Sequence, residues 1–455
     1  MTYNKYLNYF FFALLFMLSL LFSSHSYFLF EFFFTMLYFF TVIALIKKEG
    51  FIGIYQFYLY TSGLFLYSRI FFDFINYDSF LHVSFPGTHY YSYDIGIVYL
   101  TICYLHVFIV DFVYNYKNSK ISVNLITYKK GEEEIGKVSF ALLLLIFPLV
   151  LYKMYLQYMY VRQNGYLSIF IGDGLATLNY PFFLRGIPTL FVILLVFVLY
   201  SGNVKQVRIS LILFLVFELS NSLKGQRTLF ISSVLLVLFF LVTRLGKKIK
   251  FRQLLVLLVG LVLFSQVMLI NRDKNQKANF KNSTVISDFF YQQGTSIVVP
   301  LYTIENYHLN NYRTGFYLFN PIKNLFITRL YPTSGQTKTR LVHYNYLSDQ
   351  IEFDFFPEGY YLGNGVGSSD LAEYYDFYKY FGVALFSIVL ALILKFISNN
   401  FYRSFFSFIF SFYSLQTIIM MPRSPGGGLL NCIPTVLFQI LLLLLFHLFV
   451  KFSVK

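Results

Sequence analysis

Gly363-Asn364-Gly365-Val366-Gly367-Ser368-Ser369-Asp370-Leu371-Ala372-Glu373 closes a stretch, Asn271 to Asp376, that contains no apolar run of membrane length. On both sides of that stretch the chain is strongly apolar. Of its 455 residues 57% are hydrophobic and 13% charged, whereas a soluble domain carries about 25% charge. This contrast decides the fold. Membrane helices fill residues 1–270 and 377–455, and one segment, residues 271–376, stands between them. A loop of that length between apolar helices is either functional or disordered. Its wealth of Tyr, Phe, Leu and Ile argues for a folded cap over a site in the membrane.

A helix needs roughly 20 apolar residues to cross a bilayer. Working outward from the cap, such runs follow it at Tyr378–Ile397, Phe401–Met421 and Leu429–Phe449. Those before it are Tyr6–Phe22, Phe28–Ile46, Ile52–Phe71, Ile95–Tyr114, Val138–Tyr158, Pro188–Tyr200, Ile209–Asn221, Thr228–Val242 and Leu254–Leu269. Every second loop is basic, from Lys47-Lys48 through Lys117, Lys120, Lys129, Lys130 and Lys137 to Lys205, Arg208, Arg244, Lys247, Lys248, Lys250 and Arg252. Lys395, Arg403 and the tail residues Lys451 and Lys455 continue the series. Positive loops stay inside, so both termini are expected in the cytoplasm and the cap outside. The expected fold is an all-α polytopic membrane protein of about twelve transmembrane helices with one large extracytoplasmic loop region. Gly131-Glu132-Glu133-Glu134 reads as a solvated hairpin tip on the inner side.

The net charge of +15 is accounted for by these inner loops, and no basic stripe suited to nucleic acid is present. HExxH, Walker A and GxGxxG contexts are missing, which argues against nucleotide chemistry. Cys103 and Cys432 form no CxxC pair and no metal spacing. No metal and no cofactor are expected. The ionisable residues inside spans, Asp111, Lys153 and Glu218, lie toward span ends, which disfavours a transporter.

Basic residues in outward loops have no topological reason to be there. Lys224 and Arg227 lie in the tight connection Ser220–Thr228, where a helix N-terminus, a glycine and two cations make an anion site. Arg423 lies in Met421-Pro422-Arg423-Ser424-Pro425-Gly426-Gly427-Gly428, whose glycines allow close backbone approach. Arg272 follows a span, and Arg162 and Arg185 flank another outward loop. In the cap, Arg340 and His343 share a helix face at this spacing. Arg suits a phosphate and His a base near neutral pH. Glu373 is placed to take a proton from a sugar hydroxyl or to orient an Arg, with Asp354 and Glu358 behind it. Glu352 and Asp354 make only a weak carboxylate pair for a metal.

With Gly225-Gln226-Arg227-Thr228, Gln293-Gly294-Thr295-Ser296, the Gly363–Glu373 run and Arg423 in view, the chain resembles the Wzy-type oligosaccharide repeat-unit polymerases of bacterial O-antigen and capsule pathways. The resemblance implies a metal-independent, inverting glycosyltransferase of the bacterial inner membrane, its site facing the periplasm and its fold similar to GT-C-type lipid-donor enzymes. Donor and acceptor would be undecaprenyl-pyrophosphate-linked oligosaccharides held among membrane lipids, with a chain-length co-polymerase as an admissible partner and no nucleic acid. Under that resemblance Lys224, Arg227, Arg272 and Arg423 hold the pyrophosphate, and Gln293, Ser296 and Gln336 hold glycan. Glu373, His343 and Arg340 carry the chemistry. O-antigen ligase and lipid-linked oligosaccharide flippase are the competing expectations.

Overall fold

The computed structural model describes residues 27–442, apart from 77–79, 84–88, 117–129, 273–288, 310–315, 332–334 and positions 173, 179, 226, 248, 292, 431, 432 and 435. The expected first span Tyr6–Phe22 lies outside the described residues, as do residues 431, 432, 435 and 443–449 of the expected last span Leu429–Phe449.

The first half is a helical bundle. Helix α1 (Tyr27–Glu49) is followed by α2 (Ile54–Ser62), which runs through a π-helical turn, Gly63–Tyr67, directly into α3 (Ser68–Asn76). A short antiparallel hairpin, His82–Val83 with His89–Tyr90, leads to α4 (Tyr93–Asn115). Then come α5 (Lys130–Asn164), α6 (Ile187–Ser201), α7 (Val204–Ser222), α8 (Arg227–Thr243) and α9 (Phe251–Arg272). Local chemistry sets several starts. Asn203 and Gln206 form a reciprocal capping box at α7, each side chain accepting from the other's backbone N–H at 3.0 Å. The acidic run Gly131–Glu134, read from sequence as a hairpin tip, is instead the first turn of α5. Negative charge is favoured there by the helix dipole.

The segment between the two sets of membrane helices folds into short helices: α10 (Val298–Leu309), α11 (Asn320–Leu330), α12 (Lys338–His343), α13 (Leu347–Phe355), α14 (Pro357–Tyr361) and α15 (Asp370–Asp376). The chain then enters α16 (Lys379–Asn400) and α17 (Phe405–Met420), the latter capped by the Ser404 hydroxyl accepting from Ser407 N–H at 3.1 Å. Five described helices are long and apolar enough to cross a membrane: Leu29–Glu49, Tyr93–Asn115, Glu133–Asn164, Lys379–Asn400 and Phe405–Arg423. Ile187–Ser201, Leu229–Thr243 and Arg252–Phe264 are apolar but shorter.

Not all of the segment before α16 sits on top of the bundle. Leu301 and Ile304 of α10, and Leu371, Tyr374 and Tyr375 of α15, belong to the same core as Tyr99, Leu100 and Cys103 of α4. Helix α15 doubles back against α16. Tyr378 and Lys379, both at positive φ (64° and 56°), make the reversal, and Gly382 admits the carbonyls of Phe377 and Tyr374 where a Cβ would collide. Such backbone strain in non-glycine residues persists only where surrounding packing imposes it.

A buried hydrogen-bonded chain fastens α15 in place. The Tyr58 hydroxyl donates to Asp370 Oδ2 at 2.7 Å and lies 2.6 Å from His106 Nε2, while His106 Nδ1 lies 2.7 Å from Ser387 Oγ. A hydroxyl has one proton, so Tyr58 accepts from Nε2–H and Nδ1 accepts from Ser387. Four helices (α2, α4, α15 and α16) are thereby joined by side chains with no contact to water. Tyr58→Phe leaves an acceptor and a donor unmade in the core. A cost of about 1–3 kcal/mol is expected, read as a lowered thermal midpoint of the detergent-solubilised protein.

Candidate functional site

The site is built around two glycine-rich turns that meet. The first is the run that precedes α15, where Gly363 and Gly367 take positive φ (86° and 81°). The second is Pro425–Gly428, which follows Arg423 at the end of α17. Glu373, buried in α15, joins them: Ser368 Oγ donates to its Oε1 at 3.0 Å and Gly427 N–H donates to its Oε2 at 3.2 Å. Burial pushes the Glu373 carboxyl up to about 8, against the lowering pull of Gly427 and Ser368, with the nearby Asp370 charge adding to the rise. Desolvation disfavours the ionised form even where hydrogen bonds favour it.

Arg423 lies on the other side of the same turns. Its Nη1 donates to Gln293 Oε1 at 3.1 Å, its guanidinium stands 5.4 Å from the Phe65 ring centre, and its stem lies beside Gly367. Phe65 belongs to the π-helical turn between α2 and α3. A π turn inserts a residue and re-aims those after it, and such turns gather at functional sites. Here it presents Ser68 and Arg69 to the Gln293–Ser296 stretch. A Cβ on Gly294 would stand 2.5 Å from Ser68 Oγ and 2.8 Å from Arg69 Cγ, so only glycine permits this approach. Ser68 Oγ donates to the Phe290 carbonyl at 3.0 Å. Arg69 Nε donates to the Tyr291 carbonyl at 3.2 Å, with the guanidinium 4.2 Å from the Tyr291 ring centre. Ser296 is buried in the same turn of 3-10 helix.

The structure thus brings Gln293, Ser296, Glu373 and Arg423 to one neighbourhood and adds Arg69, which the sequence reading took for part of an apolar span. A charged residue near the end of an apolar run was the available signal. Gln336 reaches the Gly-rich run from the cap: its N–H donates to the Phe170 carbonyl at 2.7 Å and its side chain to the Asn364 carbonyl at 2.5 Å.

The remaining candidates are engaged elsewhere. Arg340 holds Asp349 through two bonds, Nε to Oδ2 at 2.7 Å and Nη2 to Oδ1 at 3.1 Å, and lies 5.1 Å from the Tyr346 ring centre. His343 stacks flat on Tyr331, ring centres 3.8 Å apart. Lys224, expected at the outer surface, is 4% exposed; its Nζ donates to Gln157 Oε1 at 2.5 Å between α5 and α7. Burial pushes Lys224 down to about 8, opposed by Glu218 and reinforced by Lys153. Gly225 beside it takes φ 102° and lies against the Tyr166 ring. Tyr166 in turn packs on Phe170, which links that turn to Gln336. Arg227 opens α8 and Arg272 ends α9, but their side chains lie outside the described residues. Among the described residues, no group of three or more His, Cys, Asp or Glu could hold a metal ion.

A polytopic helical bundle in which a buried carboxylate and an arginine are brought close by two glycine-rich turns defines a class of protein, a membrane protein with a polar site inside its helical bundle. The sequence carries the identification further. It matches the family model described as "O-antigen polysaccharide polymerase Wzy" over residues 5–455, and the chain belongs to that family. No curated protein and no solved structure gives a match. The chain is accordingly an integral membrane protein of polysaccharide biosynthesis, and its family supports an O-antigen repeat-unit polymerase, an enzyme of glycosyltransferase type.

The fit of the two turns yields a test. A Cβ on Gly427 would stand 2.0 Å from the Leu318 carbonyl oxygen, whereas one on Gly365 would meet only Gln336 Nε2 at 3.6 Å. Gly427→Ala must displace the turn that carries Arg423, and a misplacement of about 1 Å costs a rate factor of about 10². Gly365→Ala is expected to retain polymer. Polysaccharide ladders from cells carrying each variant at equal membrane abundance make the comparison.

Proposed function

We propose that this protein joins lipid-pyrophosphate-linked oligosaccharide repeat units by metal-independent glycosyl transfer at the periplasmic face of the inner membrane, in a bundle of about twelve spans. The observation that carries this reading is that Glu373 accepts from the N–H of Gly427, four residues past Arg423, while Arg423 itself lies beside Gly367 of the other glycine-rich turn and donates to Gln293.

In the reaction, a hydroxyl of the acceptor's non-reducing sugar attacks the anomeric carbon of the donor glycan. The bond from that carbon to the pyrophosphate oxygen breaks, and the electron pair leaves with the undecaprenyl pyrophosphate. Attack opposite the leaving group inverts the anomeric configuration. Charge gathers on the departing diphosphate, so fixed cations aimed at it lower the barrier most. Arg423 is the principal cation and Arg69 supports it. Lys224, Arg227 and Arg272 remain candidates for the same diphosphate in this reading.

Glu373 receives the acceptor proton. A general base works best when its proton affinity lies near the working pH, and burial has brought Glu373 to about 8. Gln293, Ser296 and Gln336 are the glycan contacts in this reading. Arg340, bound to Asp349, braces the cap, and His343 keeps a candidate role at its outer edge.

Arg423→Ala removes the main cation and is expected to lower polymerisation by about 10²–10³-fold, leaving single repeat units on the lipid A core and the protein in the membrane. Normal ladders would remove the pyrophosphate assignment. The ionised, base-competent form of Glu373 gains population as pH rises. Turnover of the purified enzyme should therefore climb through pH about 8, and Glu373→Gln should abolish both the climb and most of the activity.

A further inference from the structure

Helix α11 turns a line of large apolar side chains outward. Two of its buried positions are polar: Asn320 and Asn324 are 4% and 6% exposed, and the Asn320 amide donates to the Asn345 carbonyl. Three of its exposed positions are large and apolar: Ile322, Phe326 and Leu330 are 46%, 69% and 72% exposed, beside exposed Lys323 and Thr328. These three recur every fourth residue and form one ridge. Scattered apolar residues on a surface need no explanation, but an aligned ridge does.

The ridge is continuous with the lipid-facing side of a membrane span. Phe319, at the foot of α11, packs edge-on against Phe377 and Phe386, ring centres 5.8 Å and 6.5 Å away. Phe316 likewise meets Phe377 and Tyr378. From Tyr378 the exposed apolar surface passes along α16 through Phe381 and Leu385. Exposed Lys323 stands on α11 itself, able to lay its stem on the apolar ridge and carry its charge to a lipid phosphate.

We propose that α11 is an interfacial helix, seated with its Ile322–Phe326–Leu330 ridge in the outer leaflet of the membrane. The lipid surface is the occupant because the ridge prolongs a face that already meets acyl chains, and because a cation flanks it. The interfacial seating goes beyond the polymerase reading, and only its assignment to the outer leaflet rests on the topology of that reading. It has a consequence at the site: the Leu318 carbonyl and Pro321, just ahead of and at the start of α11, are fitted against Gly427. The turn gripped by Glu373 is therefore braced on a helix lying in the bilayer surface, where two lipid-borne substrates arrive.

The natural sequence contains no tryptophan, so Phe326→Trp installs a single reporter. Full-length protein is reconstituted in vesicles of phosphatidylethanolamine and phosphatidylglycerol, with or without lipids brominated at shallow acyl positions. An interfacial helix buries its apolar face about 5–10 Å deep. Brominated lipid should therefore remove about half or more of the emission, while acrylamide in the water quenches weakly. Leu330→Trp repeats the measurement one turn along, which keeps the test readable if one variant fails to fold. Strong acrylamide quenching without a bromine effect would mean that the ridge meets water. Protection from both quenchers would mean that protein covers it. Either result overturns the placement.

Discussion

The two hydrogen bonds to the Glu373 carboxylate are the constraint on which the rest of the site depends. A carboxyl group taken wholly out of water is costly unless its oxygens are satisfied. Here one oxygen takes the Ser368 hydroxyl and the other the Gly427 backbone N–H. These partners lie on turns more than fifty positions apart in the chain, and satisfying one acid pulls both turns together. Arg423 follows, because it leads into the second turn and lies along Gly367 of the first. Gln293 follows in its turn, because Arg423 donates to it.

That arrangement needs a rigid wall behind it, and α15 supplies one. A helix of seven residues has little stability of its own. It is held by packing on α4, α10 and α16 and by the Tyr58–Asp370 bond, so Glu373 projects from a fixed position. The strained reversal at Tyr378 and Lys379 lets α15 lie beside the span it leads into. Glycine at 294, 426 and 427 removes the side-chain layer that would otherwise separate these backbones. The cost is conformational freedom lost at each glycine.

Much of this was legible in the sequence, for identifiable reasons. Apolar runs such as Tyr378–Ile397 became helices because length and hydropathy alone specify them. The Gly363–Glu373 run and Arg423 stood out because glycine clusters and outward cations are unusual beside spans. Arg69 did not stand out, because it lies inside an apolar run and its meaning comes from Tyr291 and Gly294, far along the chain. The burial of α15 was hidden by its three acids, which by composition belong on a surface. The Arg340–Asp349 pair depends on how α12 folds onto α13, which helical spacing cannot reveal. The burial of Lys224 was hidden for a related reason: the turn is short enough to send its side chain back onto Gln157 of α5.

The central claim is that fixed cations and one buried carboxylate, rather than a metal or a nucleotide, drive the transfer. The most direct measurement supplies purified protein in vesicles with one synthetic repeat unit on a polyprenyl pyrophosphate, in the presence of a chelator and without nucleotide. The account predicts glycans in whole multiples of the unit, with release of one polyprenyl pyrophosphate for each bond formed. Recovery of unchanged repeat unit, or polymer that appears only when metal or nucleotide is restored, would contradict it.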